Sequence, residues 1–168
     1  MKTLALALCF AGLATGAFAQ DSSSKGALTL KGPSGEAASL TAAEVAALPR
    51  VSVAFDAHGE KHVYEGPLLI DVLAKVGTPT GKAIHGPEMA DVVLVKASDG
   101  YQVAFGLAEL DPGTRPNRII LADKADGAPL GGKDGAFKLV VEGDLRPARS
   151  ARMVSQIEVL RLAAAKPQ

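Results

Sequence analysis

The sequence predicts an α+β domain, a mixed β-sheet or sandwich with a few short helices. Short runs rich in Val, Leu and Ile recur along the chain between turn residues, which is typical of strands. Only two segments carry helix signals, and they do not alternate with the strands as regular βαβ units would. No internal repeat or linker interrupts residues 27–168, so we expect one domain around one hydrophobic core.

Both predicted helices lie in the first half of this region. Thr41 and Glu44 have the spacing of a capping box, and Pro49 ends the helix that Thr41 starts. The second helix starts at Pro67, a residue favoured at the first helical position, and ends at Gly77. Three strands are predicted near these helices, at 27–31, 51–55 and 61–64.

Residues 91–110 predict a β-hairpin, in which Asp99-Gly100 joins two apolar runs. Because Asp and Gly tolerate positive φ values, we expect a tight two-residue turn, and we expect the other strands to pair or pack around this hairpin. Residues 123–135 hold four glycines and a proline and predict an exposed loop. Further strands are predicted at 118–122, 137–141 and 157–162, with a loop at 142–152.

Residues 1–19 have the pattern of an export signal. Lys2 supplies the positive start, an apolar run follows at 4–11, and Ala17-Phe18-Ala19 forms a small-x-small cleavage site. The segment is shorter and less apolar than the roughly 20 residues that a membrane span needs. We expect residues 20–26 to be a disordered tether, and the mature protein to be periplasmic or secreted and not a membrane protein.

Cleavage would remove Lys2 from the 18 basic residues and no acid from the 18 acidic ones, which leaves 17 against 18 and a net charge of −1. Such a balance gives no support to nonspecific nucleic-acid binding or to a polybasic membrane anchor. Cys9, the only cysteine, leaves with the signal. The mature chain is therefore expected to have no disulfide and no thiolate chemistry.

Four segments, taken in order, carry a family resemblance. They are Leu40-Thr-Ala-Ala-Glu-Val-Ala-Ala-Leu-Pro49, Tyr64-Glu-Gly-Pro-Leu-Leu-Ile-Asp-Val-Leu73, Ala97-Ser-Asp-Gly-Tyr-Gln-Val-Ala-Phe105, and Phe137-Lys-Leu-Val-Val-Glu-Gly-Asp144 running into Ser150-Ala-Arg-Met-Val-Ser-Gln-Ile-Glu-Val159. Together they cover nearly the whole mature chain and resemble the sulfite oxidase-type molybdopterin-binding domain. The resemblance implies that fold and a site for a pterin.

The same resemblance exposes a departure. Catalytic members of the family ligate molybdenum through a cysteine thiolate near the strand before the second helix, where this chain has Val53-Ala-Phe-Asp-Ala-His58. With no cysteine after Cys9, the resemblance implies a non-catalytic protein that binds a small pterin and lacks molybdenum. Small cysteine-free relatives look like periplasmic pterin-binding proteins that report ligand occupancy to a membrane-bound cyclic-di-GMP enzyme. A molybdopterin-dependent oxidoreductase and a ligand-free interaction module are the alternatives.

Three arginines in the predicted loop at 142–152 are candidates for holding the pterin: Arg146, Arg149 and Arg152. A guanidinium group binds planar or anionic groups with two parallel hydrogen bonds, and the resemblance places this loop beside the pterin. A solvated basic turn is the alternative, and the sequence favours neither.

Tyr64 and Tyr101 are candidates because each offers a flat apolar face and a hydroxyl group, which suit a pterin ring and its polar edge. His85, in a loop rich in Gly and Pro, could cap the pocket or be a bystander. His58 and His62 have the four-residue spacing of a metal pair, but on a turn and strand this spacing does not bring two rings together. We therefore predict no metal site, and the lack of a Gly-x-Ser-x-Gly elbow gives no support to a hydrolase.

Overall fold

The computed structural model describes residues 26–57 and 59–162. The predicted signal peptide at 1–19 and residues 20–25 of the predicted tether lie outside the described residues, as do His58 and residues 163–168. Within the described ranges, no helix is long and apolar enough to cross a membrane.

The elements are numbered along the chain. The strands are β1 (Leu28–Lys31), β2 (Ala37–Leu40), β3 (Val51–Ala57), β4 (Glu60–Gly66), β5 (Val92–Ala97), β6 (Gln102–Gly106), β7 (Ile119–Ala122), β8 (Lys124–Ala125), β9 (Ala128–Pro129), β10 (Lys138–Val141) and β11 (Val154–Leu160). The α-helices are α1 (Ala42–Ala46) and α2 (Leu69–Leu73). Short 3₁₀ turns lie at Ala74–Val76, Gly81–Ala83, Gly86–Ala90, Leu107–Leu110, Gly132–Asp134 and Pro147–Arg149.

These strands form three sheets. The five-stranded sheet has the order β2-β1-β11-β5-β6, in which β1 and β11 are parallel and the other neighbours antiparallel. The four-stranded sheet has the order β3-β4-β8-β9, and β7 pairs with β10 in an antiparallel ribbon. Together with the few short helices, this arrangement is the α+β class that the sequence predicts.

The β7–β10 ribbon is the middle layer, because all eight of its residues are buried. One face packs into the larger core with α2, β1, β5 and β11 through Ile119, Leu121, Leu139 and Val141. The other face packs against β3 and β4 through Ile120, Ala122 and Val140. Each fully buried side chain of this size contributes about 1.5–3 kcal/mol.

Both predicted helices are confirmed. Thr41 Oγ1 accepts from the Glu44 N–H at 3.3 Å, and the Thr41 N–H donates to Glu44 Oε2 at 2.7 Å, which completes the capping box of α1. The second helix starts at Leu69, two residues after Pro67. It tightens into a 3₁₀ turn and ends at Gly77 with φ 70°.

The predicted turn geometry at Asp99-Gly100 is wrong. Only Gly100 has a positive φ there, and the Ala97 N–H donates to the Tyr101 carbonyl at 2.9 Å, so the loop has three residues. A two-residue turn occurs instead at Asp126-Gly127, with φ 51° and 80°, where it joins β8 to β9. The loop prediction for 123–135 therefore missed a hairpin.

Three other expectations also need correction. The β5–β6 hairpin is not the centre of the fold, because β6 is a sheet edge and the ribbon forms the middle layer. β2, a short strand of weak strand-forming residues beside β1, was not predicted. The last strand runs over 154–160 instead of 157–162.

Gly66, the last residue of β4, passes so close to β7 that it cannot carry a side chain. A Cβ atom there would lie 2.1 Å from the Leu121 carbonyl oxygen and 2.7 Å from Ala122 Cα. We expect Gly66→Ala to lower the free energy of unfolding by about 1–3 kcal/mol, the usual cost of overpacking, as measured by urea denaturation. Gly131→Ala is the control, because nothing lies within 4 Å of its Cβ position; equal stability of the two variants would contradict the close packing.

Candidate functional site

An open groove of 1370 Å³ lies between the β3–β4 hairpin and the segments around β10. Ala54, Asp56 and His62 stand on the hairpin side. The other side is built by the segment 143–152, which follows β10, and by the 3₁₀ turn Gly132–Asp134, which precedes β10. The backbone holds this segment in place, since the Leu139 N–H donates to the Ala151 carbonyl at 2.8 Å.

The floor of the groove contains a buried polar cluster. Lys138 is 7% exposed, and its Nζ donates to Tyr64 Oη at 2.9 Å and lies 4.6 Å from the centre of the same ring. Asp134 Oδ1 lies 3.3 Å from Nζ as an ion pair, but this buried oxygen makes no hydrogen bond with a described residue. Because a buried ammonium group is costly unless it is paired, the tyrosine and the carboxylate together make Lys138 tolerable there.

Tyr101 connects the two sides at the rim. Its hydroxyl group donates to the Ala148 carbonyl at 2.6 Å, which ties the β5–β6 loop to the segment after β10. The side chain is nevertheless 48% exposed, so a face of the ring is open to the groove. Tyr101 is thus an exposed aromatic surface in a fixed position.

The charges in the groove are unevenly paired. Each acidic side chain that lines it has a partner: Asp56 with the Gly59 N–H, Glu60 with His62, Asp99 with the Tyr101 N–H, Asp134 with Lys138, and Asp144 with Arg149. Lys133, Arg146 and Arg152 also line the groove and are exposed, and none makes a hydrogen bond or ion pair with any described residue. The groove therefore presents free donors to an anionic or acceptor-rich ligand.

Four of the six predicted site residues line this one groove: Tyr64, Tyr101, Arg146 and Arg152. Tyr64 belongs to the floor and is only 3% exposed, with Lys138 over its ring. It therefore cannot offer a ring face to a ligand. The open aromatic face belongs to Tyr101, and the guanidinium groups without a partner in the described part of the chain belong to Arg146 and Arg152.

Arg149 and His85 do not line the groove. Arg149 Nη2 and Nε bind Asp144 at 2.7 and 3.0 Å, and its guanidinium group lies 5.1 Å from the Phe105 ring centre. The hydrogen bonds to Asp144 hold the pKa of Arg149 above its usual value, with a smaller contribution from Glu109. This arginine anchors the segment, whereas His85 is an exposed residue before the 3₁₀ turn at Gly86–Ala90.

Several groove residues escaped the sequence analysis of the pterin site, among them Lys133, Lys138, Asp134 and His62. Lys138 and Asp134 belong to no recognisable motif. The only sequence signal for this pair is a lysine inside the predicted apolar strand Phe137-Lys-Leu-Val-Val141. His62 lines the groove and contacts the β8–β9 turn, and the sequence analysis did not predict that turn. His58 lies outside the described residues. Within the described ranges, no group of three or more His, Cys, Asp or Glu side chains is arranged to hold a metal ion.

His62 forms an ion pair at the rim. Its Nδ1 lies 2.7 Å from Asp126 Oδ2, and Asp126 Oδ1 accepts from the Val63 N–H at 2.8 Å. The hydrogen bond to Asp126 raises the pKa of His62, and Glu60 adds a smaller effect. Two hydrogen bonds lower the pKa of Asp126. The bond from the Val63 N–H has the larger effect and the bond to His62 the smaller.

The fold and groove define an α+β domain with an open polar groove. No family model matches the chain, and no curated protein matches it. Among solved structures it is similar to the sulfane dehydrogenase SoxCD from Paracoccus pantotrophus, with a TM-score of 0.62 and 16% sequence identity. The likeness covers 82% of this chain and 38% of that one, so the chain spans well under half of its length. At this identity the likeness shows the fold alone, and it confirms the predicted fold class.

We expect an NMR titration to find the pKa of His62 above the ordinary value of about 6.5. Asp126→Asn should bring it back towards that value, because Asn keeps the left-handed turn conformation but removes the charge. Glu60→Gln, at 3.8 Å, should change it less. A raised folded-state pKa favours the protonated form, so the stabilisation is present below about pH 6.5 and is lost as the pH rises through the raised value. An unchanged titration in Asp126→Asn would remove this pair as the cause.

Proposed function

We propose that this protein is a non-catalytic periplasmic binding protein for a small pterin. The observation that carries the proposal is the groove itself, which combines an exposed aromatic face with guanidinium groups that have no partner in residues 26–57 and 59–162, in a chain whose only cysteine is Cys9. The sulfite oxidase-type resemblance supplies the ligand class. The same proposal places this chain in the cysteine-free branch of that family.

A pterin suits the chemistry of this groove. It is a flat heterocycle with several acceptor atoms, so it needs an apolar wall and a few fixed donors. Tyr101 supplies the wall, since its hydroxyl group is held by the Ala148 carbonyl while its ring stays exposed. Arg146 and Arg152 supply donors that have no partner among the described residues.

The residues of the groove do not suit a molybdenum held by a thiolate. At the position where the resemblance implies a cysteine, β3 contributes Ala54, Phe55 and Asp56 to the groove. None of these is a soft sulfur ligand, and a carboxylate prefers harder metals. We therefore derive no redox step for this chain.

The remaining parts of the proposal concern location and partners. Export is supported by the pattern of residues 1–19, with its cleavage site at Ala17-Phe18-Ala19. A membrane-bound cyclic-di-GMP enzyme as the receiver of the occupancy signal is supported by the resemblance. In this proposal the pterin binds in the periplasm, and the loaded protein contacts the receiver.

Arg152→Ala should weaken pterin binding. A charge-assisted hydrogen bond contributes about 1.5–3 kcal/mol, so we expect a roughly ten- to hundredfold loss of affinity in a calorimetric titration with pterin. Arg115→Ala is the matched control, since Arg115 pairs with Glu109 and does not line the groove.

Three outcomes would redirect the assignment. Equal affinities for Arg152→Ala and the wild type, with folding intact, would remove this arginine from the site. Stoichiometric molybdenum in protein purified from its own periplasm would support the molybdopterin-dependent oxidoreductase. Because pterins fluoresce, an extract without fluorescence together with no binding in the titration would support the ligand-free interaction module.

Export predicts a mature amino terminus at Gln20 or within a few residues of it. Amino-terminal sequencing of protein from the periplasmic fraction measures this directly. Full-length protein found only in the cytoplasm would contradict the proposed location.

A further inference from the structure

β3 is an edge strand that runs along the groove. It occupies one end of the order β3-β4-β8-β9 and pairs only with β4, in a seven-residue register without a bulge. Its residues Ala54, Phe55 and Asp56 line the groove. The groove is therefore bordered by a strand edge as well as by side chains.

The register shows which backbone groups of β3 point outward. On the next strand, Val63 and Glu65 turn their carbonyl groups towards the β8 side, where they accept from the Asp126 and Asp123 N–H groups at 2.8 and 3.0 Å. Successive residues of an antiparallel strand direct their backbone N–H and C=O groups to opposite sides. Because Val63 and Glu65 direct theirs towards β8, the β3 residues opposite them direct theirs away from β4. The partners are Ala54 opposite Val63 and Ser52 opposite Glu65, and the alternation adds Asp56. No described residue forms a backbone hydrogen bond with these outward groups.

Most of the usual protections of a strand edge are missing from β3, whose one charged side chain is Asp56. Native edges are kept from pairing by short length, charged side chains such as Lys, Pro or a bulge. In the two larger sheets the other edge strands, β2, β6 and β9, have four, five and two residues, whereas β3 has seven and contains no Pro and no Lys. Its exposed residues Ser52 and Ala54 are small, so they leave room beside the backbone.

We propose that an extended acidic segment of a partner protein binds in this groove by adding a strand to the free edge of β3. Main-chain hydrogen bonds to Ser52, Ala54 and Asp56 would give the affinity, as in other cases of strand addition. Residues of the segment 143–152 line the same groove as Ala54, Phe55 and Asp56 of β3. This interaction goes beyond the proposed pterin site and does not depend on it.

The opposite wall argues for the chemistry of the segment. Lys133, Arg146 and Arg152 are exposed cations without a partner among the described residues, while Asp134 and Asp144 on the same side of the groove form ion pairs with Lys138 and Arg149. These free cations favour carboxylates on the incoming segment. Leu145 is completely exposed on the same wall and can contact an apolar side chain.

The test uses the mature protein and two seven-residue peptides, one alternating valine with glutamate and one alternating valine with lysine. We expect the acidic peptide to slow amide exchange at Ser52, Ala54 and Asp56 by about tenfold or more, with little change at Val53 and Phe55, which already pair with β4. The acidic peptide should bind at least about tenfold more tightly than the basic one at low salt.

Ala54→Pro removes one outward N–H without breaking the ladder to β4, since Pro is tolerated at a free strand edge. We expect it to weaken binding of the acidic peptide by about tenfold or more, while Ala54→Val, which keeps the N–H, binds like the wild type. Amide exchange at Val53 and Phe55 checks that the β3–β4 ladder survives in the proline variant.

Three results would overturn the proposal. The first is slow exchange at Ser52, Ala54 and Asp56 in the free protein, because the edge would then already be paired. The second is equal affinity for the acidic and basic peptides, or for the Pro and Val variants. The third is a dimer in analytical ultracentrifugation that Ala54→Pro dissociates, since the edge would then pair with a second copy of the chain. The peptide readouts are taken without pterin on the wild type and the Ala54 variants, so the pterin titration of Arg152→Ala does not decide them and the two proposals can fail separately.

Discussion

Burial of the β7–β10 ribbon on both faces is the constraint on which the rest of the structure depends. Alternate side chains of a strand point to opposite faces, so the ribbon must satisfy two cores at once. Leu121 and Leu139 contact the larger core, and Ile120 and Val140 contact β3 and β4. A slip of one residue in the pairing would exchange the two sets and place Lys138 on the face of the larger core. The register of the ribbon therefore fixes both halves of the molecule.

The same register creates the floor of the groove. Lys138 stands two residues before Val140 and so points to the side of β3 and β4, where Tyr64 and Asp134 surround its ammonium group. Both ends of β10 lead directly into segments that line the groove. The ribbon thus connects the hydrophobic packing of the protein to its polar site.

Competition for carboxylate partners separates three arginines that look equivalent in the sequence. Arg149 is engaged by Asp144 and Glu109 and lies over the Phe105 ring, so its charge holds the segment against the body of the protein. Arg146 and Arg152, three residues to either side, are exposed and line the groove. A segment anchored at its centre and free at its flanks can keep its conformation while it offers donors to a ligand.

The sequence by itself determined the features that depend on local chemistry. The capping box of α1, the glycine end of α2 and most strands follow from residues a few positions apart, and the unbroken apolar runs at 119–122 and 139–141 are typical of strands buried on both faces. An aspartate–glycine pair occupies a turn at both sites, but the sequence analysis predicted a turn only at Asp99-Gly100, and the pair does not distinguish the three-residue loop at Gly100 from the two-residue turn at Gly127. Only the tertiary structure decided which strand pair lies in the middle, which arginines are free and that β3 borders the groove. Arg149 pairs with Asp144, only five positions away, but the other contacts behind these features join residues 40 and 74 positions apart, such as Arg149 with Glu109 and Lys138 with Tyr64, and no local pattern encodes such pairs.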